Sequence, residues 1–208
     1  MRIETLTKLI NHYGFTHGAE IGVACGTGFL EPMLAKNPGL HMLAVDPWEL
    51  HPSFTTWFPS EEHYKSAMRV VKKYKPRVSV IRKLSHLAAE DVPDGSLDFV
   101  YIDATHTYAA ICQDVKCWYP KVKDDGIICG HDYEYCNEAG GHIRGINEMG
   151  RIIKILPQDH CLDAAEEAFK FLKEDKGVYR GGIADMKGVT WFAWKLACKP
   201  AFGGKDGD

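Results

Sequence analysis

Two aspartates close runs that read as buried strands: Asp103 ends SLDFVYID and Asp132 ends IICGHD. If those strands are neighbours, the two carboxylates face each other at one edge of a sheet. Carboxylates that close repel unless a cation lies between them. A hard ion such as Mg²⁺, taking oxygen ligands and keeping some of its water, suits the pair. Asp132 is flanked by His131 and Tyr133, neither a usual Mg²⁺ ligand. Water would then complete the shell, or a divalent ion more tolerant of nitrogen would bind with His131 among its ligands. A purely structural pair of strand-end aspartates is the plainer alternative.

A second constellation lies in GAEIGVACGTGFLEP, residues 18–32, where Glu20 sits in an apolar run and glycines follow at 22, 26 and 28. Glycine at a strand-to-helix turn permits positive φ and lets something touch the backbone. The helix start beyond it offers unpaired N–H groups. A diphosphate suits such a turn; so does the carboxylate of an amino-acid-like ligand, and a tight turn with no ligand needs glycine too. Asp46 follows Gly26 by 20 residues and ends HMLAVD. A carboxylate there can accept both hydroxyls of a ribose. The ligand is then of adenosine type, within either a dinucleotide or a nucleoside-sulfonium cofactor. The loop reads E-x-G-x-x-x-G-x-G rather than G-x-G-x-x-G. An acid beside a diphosphate repels it, whereas an acid near a sulfonium or ammonium attracts it.

These residues need a scaffold that brings strand ends together. Residues 2–13 carry Ile3, Leu6, Leu9 and Ile10 at helical spacing. AEIGV reads as a strand, followed by a helix from about Gly28 to Asn37. HMLAVD is the next strand, and residues 47–60 form an aromatic-rich loop expected to fold over the cofactor or acceptor. Ser60 reads as an N-cap of the helix after it. RVSVI, SLDFVYID and IICGHD are further strands, with SHLAAED and TYAAICQDVKCWYP as helices between them and Asp125-Gly126 as a turn. The segment 133–142 with Gly140-Gly141 is a candidate substrate flap. Two more helices and two strands complete the reading, the last strand holding Trp191, Phe192 and Trp194 as packing residues. Alternating strands and helices predict a doubly wound, Rossmann-like α/β three-layer sandwich on a mostly parallel sheet, whose ligands bind outside the strands' carboxyl ends. One domain over 1–200 and a flexible tail over 201–208 are expected.

Composition narrows the class. A formal net charge of −3 on 208 residues carries no basic excess that would point to nucleic acid or a membrane surface. No apolar run nears the ~20 residues that span a bilayer, and the charged first 15 residues contain no signal-peptide core. Seven cysteines without a C-x-x-C pair predict reduced thiols and a cytoplasmic location. Cys129, His131 and Cys136 lack standard zinc spacing, and the two cysteines read as packing thiols.

EIGVACGTGF, AVDPW, SLDFVYIDATHTY and DDGIICGHDY, in that order, together resemble the class I S-adenosylmethionine-dependent methyltransferases. They look closest to the small-molecule O-methyltransferases related to catechol O-methyltransferase and to the sugar and antibiotic O-methyltransferases, a methyltransferase 24-type group. The resemblance spans about residues 18–133. It implies a seven-stranded sheet with an antiparallel last strand. It places the methionine part of S-adenosylmethionine at Glu20 and the Gly22, Gly26 and Gly28 loop, and the ribose at Asp46. Ser85 and His86 would border the adenine, with Pro47 and Trp48 opposite; a helix N-cap is the competing role for Ser85. Two strand-end acids and a neighbour would hold Mg²⁺ or a related ion: Asp103, also beside the cofactor, Asp132 and, in doubt as the third, His131. His106 falls where the catechol enzymes carry a basic lysine, so it is a candidate base; His131 competes for that role, and a capping turn is the alternative for His106. The implied partner is a small hydroxylated acceptor, with assembly as a homo-oligomer left open. An NAD-type oxidoreductase, disfavoured by the glycine spacing, and a non-methylating accessory protein of the same fold are the competing readings.

Overall fold

The computed structural model describes residues 2–49, 60–105, 108–130 and 191–195. Helix α1 (Arg2–Tyr13) leads into β1 (His17–Ile21), α2 (Leu30–Lys36), β2 (His41–Val45), α3 (Ser60–Lys73) and β3 (Val78–Ile81). Then follow α4 (Ser85–Glu90), β4 (Leu97–Ile102), α5 (Tyr108–Trp118), a 3₁₀ turn (Tyr119–Lys121), β5 (Val122–Gly130) and β6 (Trp191–Lys195).

The sheet runs β3-β2-β1-β4-β5-β6. The first five strands are mutually parallel, and β6 pairs antiparallel with β5, from Gly126 opposite Lys195 to Gly130 opposite Trp191. A seventh strand would fall outside the described residues. The chain steps outward from β1 to β2 to β3 and then returns to place β4 on the other side of β1. That reversal makes a topological switch point at the carboxyl ends of β1 and β4, where open α/β sheets bind ligands.

Pleat alternation sends successive side chains to opposite faces. Met42, Ala44, Phe99, Tyr101, Ile127 and Cys129 point to one side, where Leu6 and Leu9 of α1, Leu30 and Met33 of α2 and Val70 of α3 cover them. Ala19, Ile21, Val45, Val100, Ile102 and Ile128 point to the other, against Ala88 of α4 and Val115 and Trp118 of α5. All six residues of β4 are buried, as a central parallel strand covered on both faces requires. Cys129 is fully buried and its Sγ donates to Val100 O at 3.3 Å. It is a packing thiol near the carboxyl end of β5, as expected of it.

Two local expectations are corrected. Asp125-Gly126 is no turn: β5 runs through it. The pairing with β4 jumps from Leu97–Val122 to Phe99–Ile127, and Asp125 takes φ 65°. The extra residues bulge out of the ladder, so the Asp-Gly signal marks an irregular strand rather than its start. Ser85 is no N-cap. Leu84 holds that position without a side-chain cap, and Ser85 is the first helical residue.

Candidate functional site at the carboxyl ends of β1, β2 and β4

The glycine loop leaves β1 at Gly22, whose N–H bonds Val45 O at 2.9 Å while Asp103 N–H bonds Ile21 O at 2.8 Å. Those bonds press three strand ends together. Gly22 has φ 90°, and a Cβ there would lie 2.6 Å from Ala104 Cα and closer still to the Asp103 carbonyl oxygen. Gly26 has φ 74°, and its Cβ would meet Ala67 Cα of α3 at 3.3 Å. The fold's own backbone therefore demands glycine at 22 and 26. The part of the loop left open to the rim is Ala24, Thr27 and Gly28, all exposed.

Ala24 has φ 49°, a left-handed conformation that costs an ordinary residue about 1–2 kcal/mol. Its N–H donates to Asp46 Oδ2 at 2.9 Å, and its carbonyl accepts from Trp48 Nε1 at 2.7 Å. Trp48 is left-handed as well, at φ 46°, and its own N–H donates to Asp46 Oδ1 at 2.7 Å. One carboxylate thus orders two strained residues, the kind of stored strain that gathers at functional sites. Asp46 is half-buried. Burial raises its pKa from the ordinary aspartate range, while the N–H groups of Ala24, Trp48 and Val23 and the charge of His63 pull the other way. Each carboxylate oxygen has two lone-pair sites, so accepting one amide apiece leaves Asp46 able to accept more.

Glu20 is 3% exposed and lies in register with Ala44 and Tyr101. Phe29, at the entry to α2, stacks on Tyr101 with ring centroids 3.8 Å apart. Pro47 presents its carbonyl to Arg82 Nε at 3.2 Å. Trp48 is 3% exposed, edge-on to Tyr64 at 5.3 Å. Its ring braces the loop from below. The Ser85 hydroxyl accepts from Trp118 Nε1 at 2.9 Å and bonds Asp114, an aspartate 4% exposed. Burial pushes Asp114 up to about 7, against the lowering effect of Ser85. His86 is half-buried on α4.

The structure brings Gly22 to Asp103, Gly26 to α3, and Asp46 to Ala24 and Trp48. It turns the Ser85 hydroxyl to α5. His106, His131, Asp132, residues 50–59 of the aromatic loop and the 133–142 flap lie outside the described residues. Among the described residues no group of three or more His, Cys, Asp or Glu side chains is arranged to hold a metal ion. No helix among them is long and apolar enough to cross a membrane. Sequence reasoning missed Ala24, for which nothing in VACG signals positive φ. It also missed Asp114, which did leave a signal: it stands four residues before Trp118, on that tryptophan's side of the helix.

A topological switch point with a strained glycine loop and a strand-end acid defines a doubly wound, Rossmann-like α/β fold. Residues 19–133 match the family described as a methyltransferase domain, and the chain belongs to it. A curated relative, the uncharacterized protein y4gI of Sinorhizobium fredii, is 26% identical over 134 residues, which are 64% of this chain and 14% of that protein. The chain spans far less than two thirds of that relative. A candidate O-methyltransferase from Klebsiella pneumoniae superposes with a TM-score of 0.60 at 13% identity, covering 94% of this chain and 80% of that one. A candidate caffeoyl-CoA O-methyltransferase from Staphylococcus aureus gives 0.54 at 14% identity, covering 93% and 82%. These similarities show the shared fold.

Proposed function

We propose that this protein is an S-adenosylmethionine-dependent O-methyltransferase acting on a hydroxyl of a small molecule, with help from a divalent cation. The observation that carries the reading is Asp46. It ends β2 at the crevice, is ordered by two backbone amides, and retains lone pairs for a ribose. The donor set fits a nucleoside sulfonium. Two carboxylates, Glu20 and Asp46, end adjacent strands beside a loop of small residues, which suits hydroxyl and cationic groups and repels a diphosphate. Family membership supports the same choice.

Glu20 and the 22–28 loop would bind the methionine end, and Asp46 the ribose. Ser85 and His86 would border the base. Bound S-adenosylmethionine supplies an electrophilic methyl carbon, so the acceptor leaves as a methyl ether. Asp103 and Asp132, with His131, would hold a divalent ion, which when bound acidifies the acceptor hydroxyl. His106 takes the hydroxyl proton, with His131 as the competing base. Residues 47–60 and 133–142 would exclude water and shape the acceptor pocket.

Calorimetry and thermal unfolding with S-adenosylhomocysteine, S-adenosylmethionine and NADH test the reading. Ligand at a hundredfold excess over its Kd should stabilise the fold by about 2.7 kcal/mol. No response to either adenosyl ligand sinks it, and a saturable response to NADH alone would favour an oxidoreductase. Asp103→Asn should abolish the calorimetric signal of Mg²⁺ while cofactor affinity largely survives. Equal Mg²⁺ binding in variant and parent removes the metal from the proposal.

A further inference from the structure

A tryptophan next to a ribose-binding acid is expected to lay its face against the base, yet the Trp48 ring is 3% exposed and edge-on to Tyr64. Its neighbours hold it there. Arg82 lies over the Tyr64 ring at 4.2 Å, and its guanidinium bonds the carbonyls of Pro47 at 3.2 Å and Trp48 at 3.5 Å. The polar edge of the indole reaches the loop instead, donating to Ala24 O. We propose that Trp48 is a positioning residue: its indole N–H holds Ala24 left-handed, which keeps the Ala24 amide on Asp46 and sets the 22–28 loop to receive the nucleoside cofactor. This rests on the cofactor reading above.

The three bonds close a ring through Ala24, Asp46 and Trp48. Ala24 is exposed, and besides the indole bond the Gly26 N–H bond to Val23 O at 2.9 Å closes a turn around it. Without the indole donor, that turn bond alone is left to oppose the preference for negative φ of an alanine, whose Cβ disfavours the left-handed region. The peptide on its N-terminal side then turns, and its N–H swings off Asp46. The carboxylate would lose one of its amides, and the exposed rim of the loop would lose its fixed shape. Ligand affinity would fall by the fraction of molecules still in the competent form. A glycine at 24 has no such preference and would hold the competent form without the indole.

Trp48→Phe keeps an aromatic ring and removes the donor. It is compared in the full chain with Ala24→Gly and the double variant, by amide hydrogen exchange without ligand and by S-adenosylhomocysteine calorimetry. Trp48→Phe should speed exchange at the Ala24 amide about tenfold and weaken binding about tenfold, which is 1.4 kcal/mol, with the melting temperature within a few degrees of the parent. Ala24→Gly in that background should recover most of the affinity, which a merely structural tryptophan would not allow. Unchanged Ala24 exchange in Trp48→Phe overturns the proposal, whatever the affinity does; so does failure of the glycine to rescue. If Trp48→Phe does not fold, the parent decides: its Trp48 indole proton must be protected from exchange, and free exchange overturns the proposal. No binding of S-adenosylhomocysteine by the parent sinks the cofactor reading instead, and the exchange data alone then judge whether Trp48 holds Ala24.

Discussion

Asp46 and Asp98 stand at opposite ends of the sheet and do the same local work with opposite electrostatics. Asp98, 8% exposed, accepts the N–H groups of Thr16 and His17 on Oδ2, both at 2.8 Å, and the Lys123 ammonium on Oδ1 at 2.7 Å. Burial alone would raise its pKa, but Lys123 and the two amides outweigh burial and hold it below the ordinary aspartate value. Asp46 also accepts two amides, yet burial prevails there and its pKa is raised. The lysine is the difference. A carboxylate neutralised by a neighbour completes the fold. One ordered by amides, with no lysine bonded to it and only the weaker pull of His63, keeps a raised pKa and suits the ligand role proposed for it.

Substitutions can break that comparison. The largest effect is expected at the rim's hinge: Gly22→Ala should cost more than about 3 kcal/mol, or prevent folding, because it adds left-handed strain to an overlap with the end of β4. Denaturant unfolding measures it, and a loss under about 1 kcal/mol would mean that the strand ends are not pressed together.

Asp98→Ala should lower stability by about 3 kcal/mol, since it strands a lysine and two amides. Affinity for S-adenosylhomocysteine should stay within about twofold of the parent. Asp46→Ala should do the reverse, with about 1 kcal/mol of stability lost and affinity down about a hundredfold, or 2.7 kcal/mol. Parallel unfolding and calorimetry on the two variants decide; similar profiles for both would dissolve the distinction between the two acids.

Asp114 supplies a third case, an aspartate with a hydroxyl for company. Its folded pKa, about 7, lies above the 3.8 of an ordinary aspartate, so the folded chain holds the proton better. That advantage is complete below about pH 4 and is lost as pH rises through 7. Asp114→Asn should therefore flatten the stability profile over that window and gain about 1–2 kcal/mol at pH 8. Denaturant midpoints at pH 5 and pH 8 check the sign, and an unchanged slope would refute it. The smallest effect belongs to Lys73, which pairs with Glu31 at 2.7 Å while 60% exposed. Lys73→Ala should change stability by under about 1 kcal/mol, read as a shift of at most a few degrees in melting temperature.

Much of this was legible in residue order. Apolar runs of strand length alternating with amphipathic stretches determine a covered parallel sheet, since parallel strands need helical crossovers and bury both faces. Glycines at 22 and 26, and acids at 20, 46 and 103, mark strand ends because local chain geometry places turns there. What approaches those glycines was not legible. The turn suggested a ligand, whereas the folded chain brings the backbone of residues 103 and 104 to one and of residue 67 to the other. Nor could Trp48 be read: an aromatic beside a strand-end acid has the composition either to stack on a ligand or to brace a loop, and only packing on Tyr64 and Arg82 decides. Ser85 likewise had the chemistry of a cap, and an aspartate and a tryptophan on α5 took its hydroxyl. Periodicity and turn chemistry act between residues close in sequence and can be read along the chain. Close approach, burial and charge balance act between residues brought together from distant positions, and exist only once the layers have packed.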